Sequence, residues 1–135
     1  MGETILIAED DQTNKNLFAK ILRLRGYTVL EAGSAEEARQ RWDGHPERIR
    51  LLVANVVLPG KSGTDLALDL FDIDPELKIL FTSGTPKDQW GEADFQNVAK
   101  LPAQSYSFLG KPFLPRQLER KVRELLAGAK TRTAP

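Results

Sequence analysis

Ile5-Leu6-Ile7-Ala8-Glu9-Asp10-Asp11 is an apolar run that ends abruptly in three acids. A short apolar run with polar flanks reads as a buried strand, here about Thr4–Ala8. The polar stretch after it opens an amphipathic segment with Leu17, Phe18, Ile21 and Leu22 on one face and Gly26 as its stop. The order strand, acids, helix sets carboxylates at the carboxyl end of a strand, where open α/β sheets bind ligands. Two adjacent carboxylates repel by roughly 3–4 kcal/mol at an effective dielectric near 20. Glu9 and Asp10 therefore either stay solvated or hold a hard cation such as Mg2+. A solvated loop before a helix that favours negative charge is the plain alternative, and the pair alone does not decide.

The alternation of apolar run and helical pattern repeats along the chain. Tyr27–Glu31 reads as a second strand, and Ser34 with Glu37 forms a capping box that opens a helix through Ala35, Ala38 and Trp42. Ile49–Asn55 is a largely apolar run, interrupted by Arg50, and reads as a buried parallel strand. Pro59, Gly60 and Gly63 break the chain before a helix around Thr64–Phe71, and Lys78–Thr82 is the fourth strand. Between Gly84 and Ser105, Pro86, Gly91 and Pro102 interrupt a stretch poor in apolar residues, so the fourth helix, placed at 88–100, is irregular. Tyr106–Leu109 is the fifth strand. Pro115 suits a first helical turn, and Leu118, Val122, Leu125 and Leu126 share one face. Five β-α units with right-handed crossovers give a doubly wound parallel α/β sheet. The domain is expected over residues 1–128, with a flexible tail over 129–135.

Composition narrows the function classes. A chain of 135 residues is long enough for one domain with a proper core. Its 19 basic and 19 acidic residues cancel, which leaves no broad footprint for nucleic acid or membrane. The absence of cysteine excludes disulfides, thiol catalysis and thiolate metal sites. The start MGETILI lacks a basic leader and a long apolar stretch, so a cytoplasmic location is expected. Asn55–Ser62 resembles a nucleotide P-loop, but its first glycine is missing and Pro59 removes a backbone donor from the cradle.

In such a sheet, polar residues at the strand ends carry the chemistry. They are Glu9 and Asp10 after the first strand, Asn55 at the third, Ser83 at the fourth and Lys111 at the fifth. A phosphoryl group beside Mg2+ wants this set: carboxylates for the metal, a hydroxyl and an ammonium for the phosphate oxygens. The segments ILIAEDD, LLVANVVLPGKSG, ILFTSG and FLGKPF together resemble a response-regulator receiver domain, the phospho-acceptor module of two-component signalling, from about Glu3 to Ala127. VVLPGKSGTDLA with FTSG is similar to receivers attached to hybrid histidine kinases.

The resemblance implies a flavodoxin-like (βα)5 fold with strand order 2-1-3-4-5. It makes Asp10 the direct metal ligand, Glu9 a ligand through water, and the Val57 carbonyl a third oxygen, beside position 55. Ser83 takes the hydroxyl switch position by its spacing from Asn55, with neighbouring Thr82 as the fallback. Lys111 becomes the phosphate-contacting lysine, Lys111-Pro112 a candidate cis bond, and Phe108 the aromatic whose rotamer responds to phosphorylation. The implied partner is a histidine kinase or histidine phosphotransfer domain docking near the first helix.

One position departs from the pattern, and it is the central one. The phospho-accepting aspartate should lie four residues before Pro59, where this chain has Asn55. An amide matches a carboxylate in shape but lacks its charge, and it is not the expected nucleophile. It also removes repulsion from the acidic cluster and leaves only weak Mg2+ binding. Two explanations stand: an engineered lock on a working receiver, or a natural pseudo-receiver that acts as a constitutive interaction module. The intact Glu9, Asp10, Ser83 and Lys111 favour the first. A third reading, a Mg2+-dependent phosphohydrolase, needs an aspartate nucleophile with a second acid two residues on, and Asn55 with Val57 does not supply it. The chain is accordingly not expected to be an enzyme.

Overall fold

The computed structural model describes the backbone of residues 2–133 and the side chains of residues 2–128. Its element order is β1 (Thr4–Ala8), α1 (Gln12–Leu24), β2 (Thr28–Ala32), α2 (Ala35–Gly44), β3 (Ile49–Asn55), α3 (Gly63–Ile73), β4 (Lys78–Ser83), α4 (Glu92–Ala99), β5 (Tyr106–Gly110) and α5 (Pro115–Thr133). The five strands are parallel and lie in the order β2-β1-β3-β4-β5. That is the doubly wound parallel sheet the sequence pattern predicts, in the flavodoxin-like order the resemblance implies.

The apolar runs are strands because both faces of the sheet are covered. Alternation along each strand divides the core in two. Ile5, Ile7, Leu51, Val53, Leu80 and Leu109 pack with Phe18, Leu22, Leu118 and Val122 of α1 and α5. Leu6, Ala8, Leu52, Ala54, Ile79 and Phe81 pack with Ala38, Leu66, Leu70 and Val98 of α2, α3 and α4. Burying one such side chain contributes about 1.5–3 kcal/mol, so these two layers dominate the fold's stability.

Local signals hold at most helix ends. Ser34 accepts the Glu37 N–H at the start of α2, while the Glu37 carboxylate reaches past Ser34 to the Gly33 N–H at 2.7 Å. That backbone donor holds the Glu37 carboxyl below its usual range. Asp11 and Ser62 cap α1 and α3, and Gly26 takes a φ of 93° after α1.

The expected irregularity lies between β4 and β5. Short 3-10 turns at Lys87–Gln89 and Ala103–Ser105 flank α4, which is shorter than the 88–100 expected because Gly91 and Pro102 bound it. The last helix runs to Thr133, past the expected domain end at residue 128. Of the expected tail, Ala134 and Pro135 and the side chains from residue 129 onward lie outside the described residues.

Candidate functional site

The carboxyl ends of β1, β3, β4 and β5 meet along one edge, and the ladder extends just beyond the strands there. Glu9 N–H donates to the Ala32 carbonyl at 2.9 Å, Val56 N–H to Thr82 at 3.0 Å, and Lys111 N–H to Ser83 at 2.8 Å. Because the extended backbone continues, strand alternation carries through to Glu9 and Lys111. Both side chains fall on the face covered by α1 and α5, as does Asn55 two residues after Val53.

These residues form one polar cluster. Glu9 is 1% exposed, and its Oε1 accepts from Lys111 Nζ at 2.6 Å. Its Oε2 accepts from the Asp11 N–H at 3.0 Å. Asn55 Nδ2 donates to Glu9 Oε2 and to Asp10 Oδ1, each at 3.3 Å. The amide thus bridges the two carboxylates as a neutral donor. A buried carboxylate needs such company: removing one partner of a buried ion pair costs about 3–5 kcal/mol. Asp10 stays exposed, so the cluster opens to solvent on its side.

The loop after Asn55 is held by a close approach. A Cβ built at Gly63 would sit 2.0 Å from the Asn55 backbone oxygen, so only glycine fits there. The Gly63 N–H donates to the Val56 carbonyl at 2.9 Å. Gly60, with φ of 72°, makes the preceding turn. Gly60 and Gly63 therefore shape this loop, and the Gly63 N–H is taken up by the Val56 carbonyl.

The remaining expected site residues lie elsewhere. Ser83 alternates with Thr82 and points to the opposite face of the sheet, beside Phe81. Its hydroxyl donates to the Thr85 carbonyl at 2.9 Å and accepts the Thr85 N–H at 3.0 Å. Phe108 stacks on Phe81 with centroids 5.9 Å apart, and Trp90 and Tyr106 meet it edge-on at 5.5 Å and 5.3 Å. Lys87 Nζ lies 5.0 Å from the Phe108 centroid. Val57 is an exposed side chain, so only its carbonyl can take part. The Lys111-Pro112 bond is cis.

Sequence reasoning missed a buried polar clasp between α3 and α4. Thr64, 1% exposed, shares its hydroxyl with Ser62 Oγ, Asp94 and Asn97 Nδ2. Asn97 also donates to Asp65 Oδ1 at 2.8 Å. No spacing rule flags such a contact, because its partners lie on different helices.

As a metal site the donor set is incomplete but suitable in kind. Among the described residues, no group of three or more His, Cys, Asp or Glu side chains is placed to hold a metal ion. Glu9 and Asp10 are hard anionic oxygens, and the Asn55 side chain adds a neutral one. This set fits a hard oxygen-seeking cation weakly, because one charge is missing and Lys111 already neutralises Glu9.

Comparison with known proteins agrees with this geometry. Residues 5–123 match the family described as the response regulator receiver domain. The chain is 32% identical over 129 residues to the response regulator receiver protein CpdR of Brucella abortus, covering 93% of this chain and 98% of CpdR. It is 33% identical over 124 residues to the sensor kinase CckA of the same organism, covering 91% of this chain but 12% of the kinase. It spans 52% of another similar protein, the transcriptional regulatory protein CssR of Bacillus subtilis. Among solved structures, the receiver domain of the hybrid histidine kinase CckA superposes with a TM-score of 0.73 at 28% identity, over 91% of this chain and 98% of that one. A CheY-like receiver domain from Methanospirillum hungatei matches the fold at a TM-score of 0.84 and 24% identity, over 98% of this chain and 99% of that one. The chain belongs to the response regulator receiver domain family.

Proposed function

We propose that this chain is a phosphorelay receiver whose acceptor position is held by Asn55, so that it engages its signalling partner without taking a phosphoryl group. The observation that carries this reading is the Asn55 amide, which sits between Glu9 and Asp10 at 3.3 Å from each while Lys111 pairs with Glu9. An aspartate there would place its carboxylate in the same position, with Lys111 at hand for a phosphate oxygen.

In the Asn55→Asp chain, a carboxylate oxygen attacks the phosphorus of a phosphohistidine. The O–P bond forms as the P–N bond breaks, and the electron pair leaves with the imidazole nitrogen. Asn55 offers no such anion, and its Nδ2 lone pair is delocalised into the amide. Glu9, Asp10, the Asn55 side-chain oxygen and the Val57 carbonyl would hold Mg2+, which supplies charge neutralisation at the phosphoryl oxygens. Lys111, paired with Glu9, sits at the same edge. The receiver is a signalling module rather than an enzyme in this reading, and it works in the cytoplasm; among the described residues no helix is long and apolar enough to cross a membrane.

The similarity to the CckA receiver supports a histidine kinase or histidine phosphotransfer domain as the partner. The intact Glu9, Asp10 and Lys111 support a lock on a working receiver. One observation favours a second reading, a natural pseudo-receiver acting as a constitutive interaction module: the Asn55 amide, with Lys111 on Glu9, gives both acids partners without a cation. Intact-mass spectrometry after incubation with Mg2+ and phosphoramidate separates the two. A labile phosphate on Asn55→Asp but not on the parent establishes the locked receiver. Phosphate on neither removes the phospho-acceptor reading, and phosphate on the parent moves the acceptor away from position 55.

A further inference from the structure

The helix α4 sits at a rotation that its apolar residues do not favour. It is 8 residues long, too short to hold a helix by itself. Gly91 stands at its start without a side-chain cap, and Pro102 follows it. Val98 is buried, but Phe95, the largest apolar side chain of the helix, is 47% exposed. Asp94 and Asn97 face α3 instead and meet Thr64 there.

Hydrophobic packing alone would turn the helix. Phe95 and Val98 are three residues apart, or about 60° around the axis. A roll of about that angle carries Phe95 in beside Val98 and carries Asn97 out to water. Burying the rest of the ring is favourable, so apolar burial pulls α4 away from the seat it occupies.

The polar contacts oppose that roll. Thr64, 1% exposed, donates its proton to Asp94 and accepts from Asn97 Nδ2 at 3.1 Å. With that proton spent, the Ser62 hydroxyl donates to Thr64 at 3.0 Å. Asn97 also donates to Asp65 Oδ1 at 2.8 Å. Rolling α4 separates Asn97 from both acceptors, and a buried hydroxyl that loses partners is costly. Ser62 caps α3 and Thr64 lies in its first turn, where Gly63 closes on the Asn55 backbone. The clasp therefore ties α4 to the turn that follows position 55.

We propose that the Thr64–Asp94–Asn97 clasp is a conformational pin. It holds α4 in its present seat with Phe95 left outside, and α4 can leave that seat without the sheet unfolding. Buried polar contacts of this kind select an arrangement more than they stabilise it. Releasing the pin offers Phe95 a second seat, which gives α4 two packings within one fold. The device is independent of what position 55 accepts.

Two measurements test it. In the chain as it stands, the amides of Val98 and Ala99 should exchange with deuterium about tenfold faster than those of Leu52 and Val53, or more, and with a weaker dependence on urea. The same urea dependence in both would mean that α4 opens only with the whole fold, and would overturn the proposal. The second measurement combines Thr64→Val, Asp94→Leu and Asn97→Leu, which replace the clasp by apolar side chains of similar size. The thermal midpoint should stay within about 3 °C of the parent or rise. Relaxation of the Phe95 ring protons by a soluble gadolinium chelate should fall about twofold as the ring is covered. A midpoint below that range would mean that the clasp holds the fold together rather than choosing the seat of α4. Unchanged relaxation at Phe95 would mean that apolar packing already fixes the seat. Either result overturns the proposal.

Discussion

The two faces of the sheet end in opposite chemistry. On the α1 and α5 side, alternating apolar residues give way at the carboxyl edge to Glu9, Asn55 and Lys111, a polar cluster held by charge and hydrogen bonds. On the α3 and α4 side, Phe81, Trp90 and Phe108 touch one another toward the same edge, and Tyr106, at the start of β5, meets Phe81 and Phe108. The helices differ as well: α1 carries Lys15, Lys20 and Arg23 without an acid, whereas α3 carries Asp65, Asp69 and Asp72 without a base. A net charge of zero thus conceals a separation across the sheet. One sheet edge supplies both a polar cluster and an aromatic wall, and a shift of one residue along a strand decides which of them a side chain enters.

Breaking the aromatic wall should produce the largest change. Phe81→Ala removes the ring that touches Trp90, Tyr106 and Phe108, and should cost about 3–5 kcal/mol in urea unfolding. The side-chain amide resonances of Asn55, on the other face, should move little. Lys111→Met attacks the polar side by leaving the Glu9 carboxylate buried and unpaired, at about 3 kcal/mol. Adding Glu9→Gln to Lys111→Met should recover part of that loss, which a double-mutant cycle by chemical unfolding would read.

Asn55→Asp should cost about 1–3 kcal/mol in the absence of divalent cation, since a third carboxylate replaces a bridging donor. Added Mg2+ should return that stability in a thermal shift, by binding only the folded form.

The smallest effect belongs to a contact at the other end of the sheet, remote from both faces' carboxyl edges. Arg48 grips Asp74 through Nε at 2.8 Å and Nη2 at 2.9 Å. Burial pushes the Asp74 carboxyl up, but the Arg48 hydrogen bonds, helped by the Glu76 N–H, pull it below its usual range. A carboxyl lowered on folding contributes stability above its unfolded value of about 3.9, and that contribution is lost as pH falls through the depressed folded value. Asp74→Asn should therefore cost about 1 kcal/mol at neutral pH and progressively less below about pH 4, as urea unfolding from pH 2 to 7 would show.

Much of this comparison was legible in the residues. The run Ile49–Asn55 reads as a buried strand with its final bounds, since both faces of β3 are covered and Leu51–Ala54 is unbroken by a polar side chain. The acids at the end of β1 and Lys111 after β5 are legible because a parallel sheet brings equivalent strand ends to one edge. The choice between Thr82 and Ser83 is a different kind of problem. Spacing from Asn55 counts residues along the chain, whereas the side-chain direction depends on strand register, and Asn55 pairs with Thr82. Which face each of the two hydroxyls takes is legible only once that register is known. The clasp of Thr64, Asp94 and Asn97 was illegible for a related reason: it depends on how α4 seats against α3, and the stretch around Gly91 and Pro102 carries too few apolar residues to show its packing face.

In the proposed function, Asn55 stands where an acceptor carboxylate would complete a cation site with Glu9 and Asp10. The most direct test is a Mg2+ titration of the parent and of Asn55→Asp, followed through the backbone amides of Asp10, Asn55 and Val57 by NMR. The account predicts weak binding to the parent and at least tenfold tighter binding to Asn55→Asp, a difference of about 1.4 kcal/mol or more, with the shifts centred on those residues in both. Equal affinities, or shifts centred away from Asp10 and position 55, would contradict it.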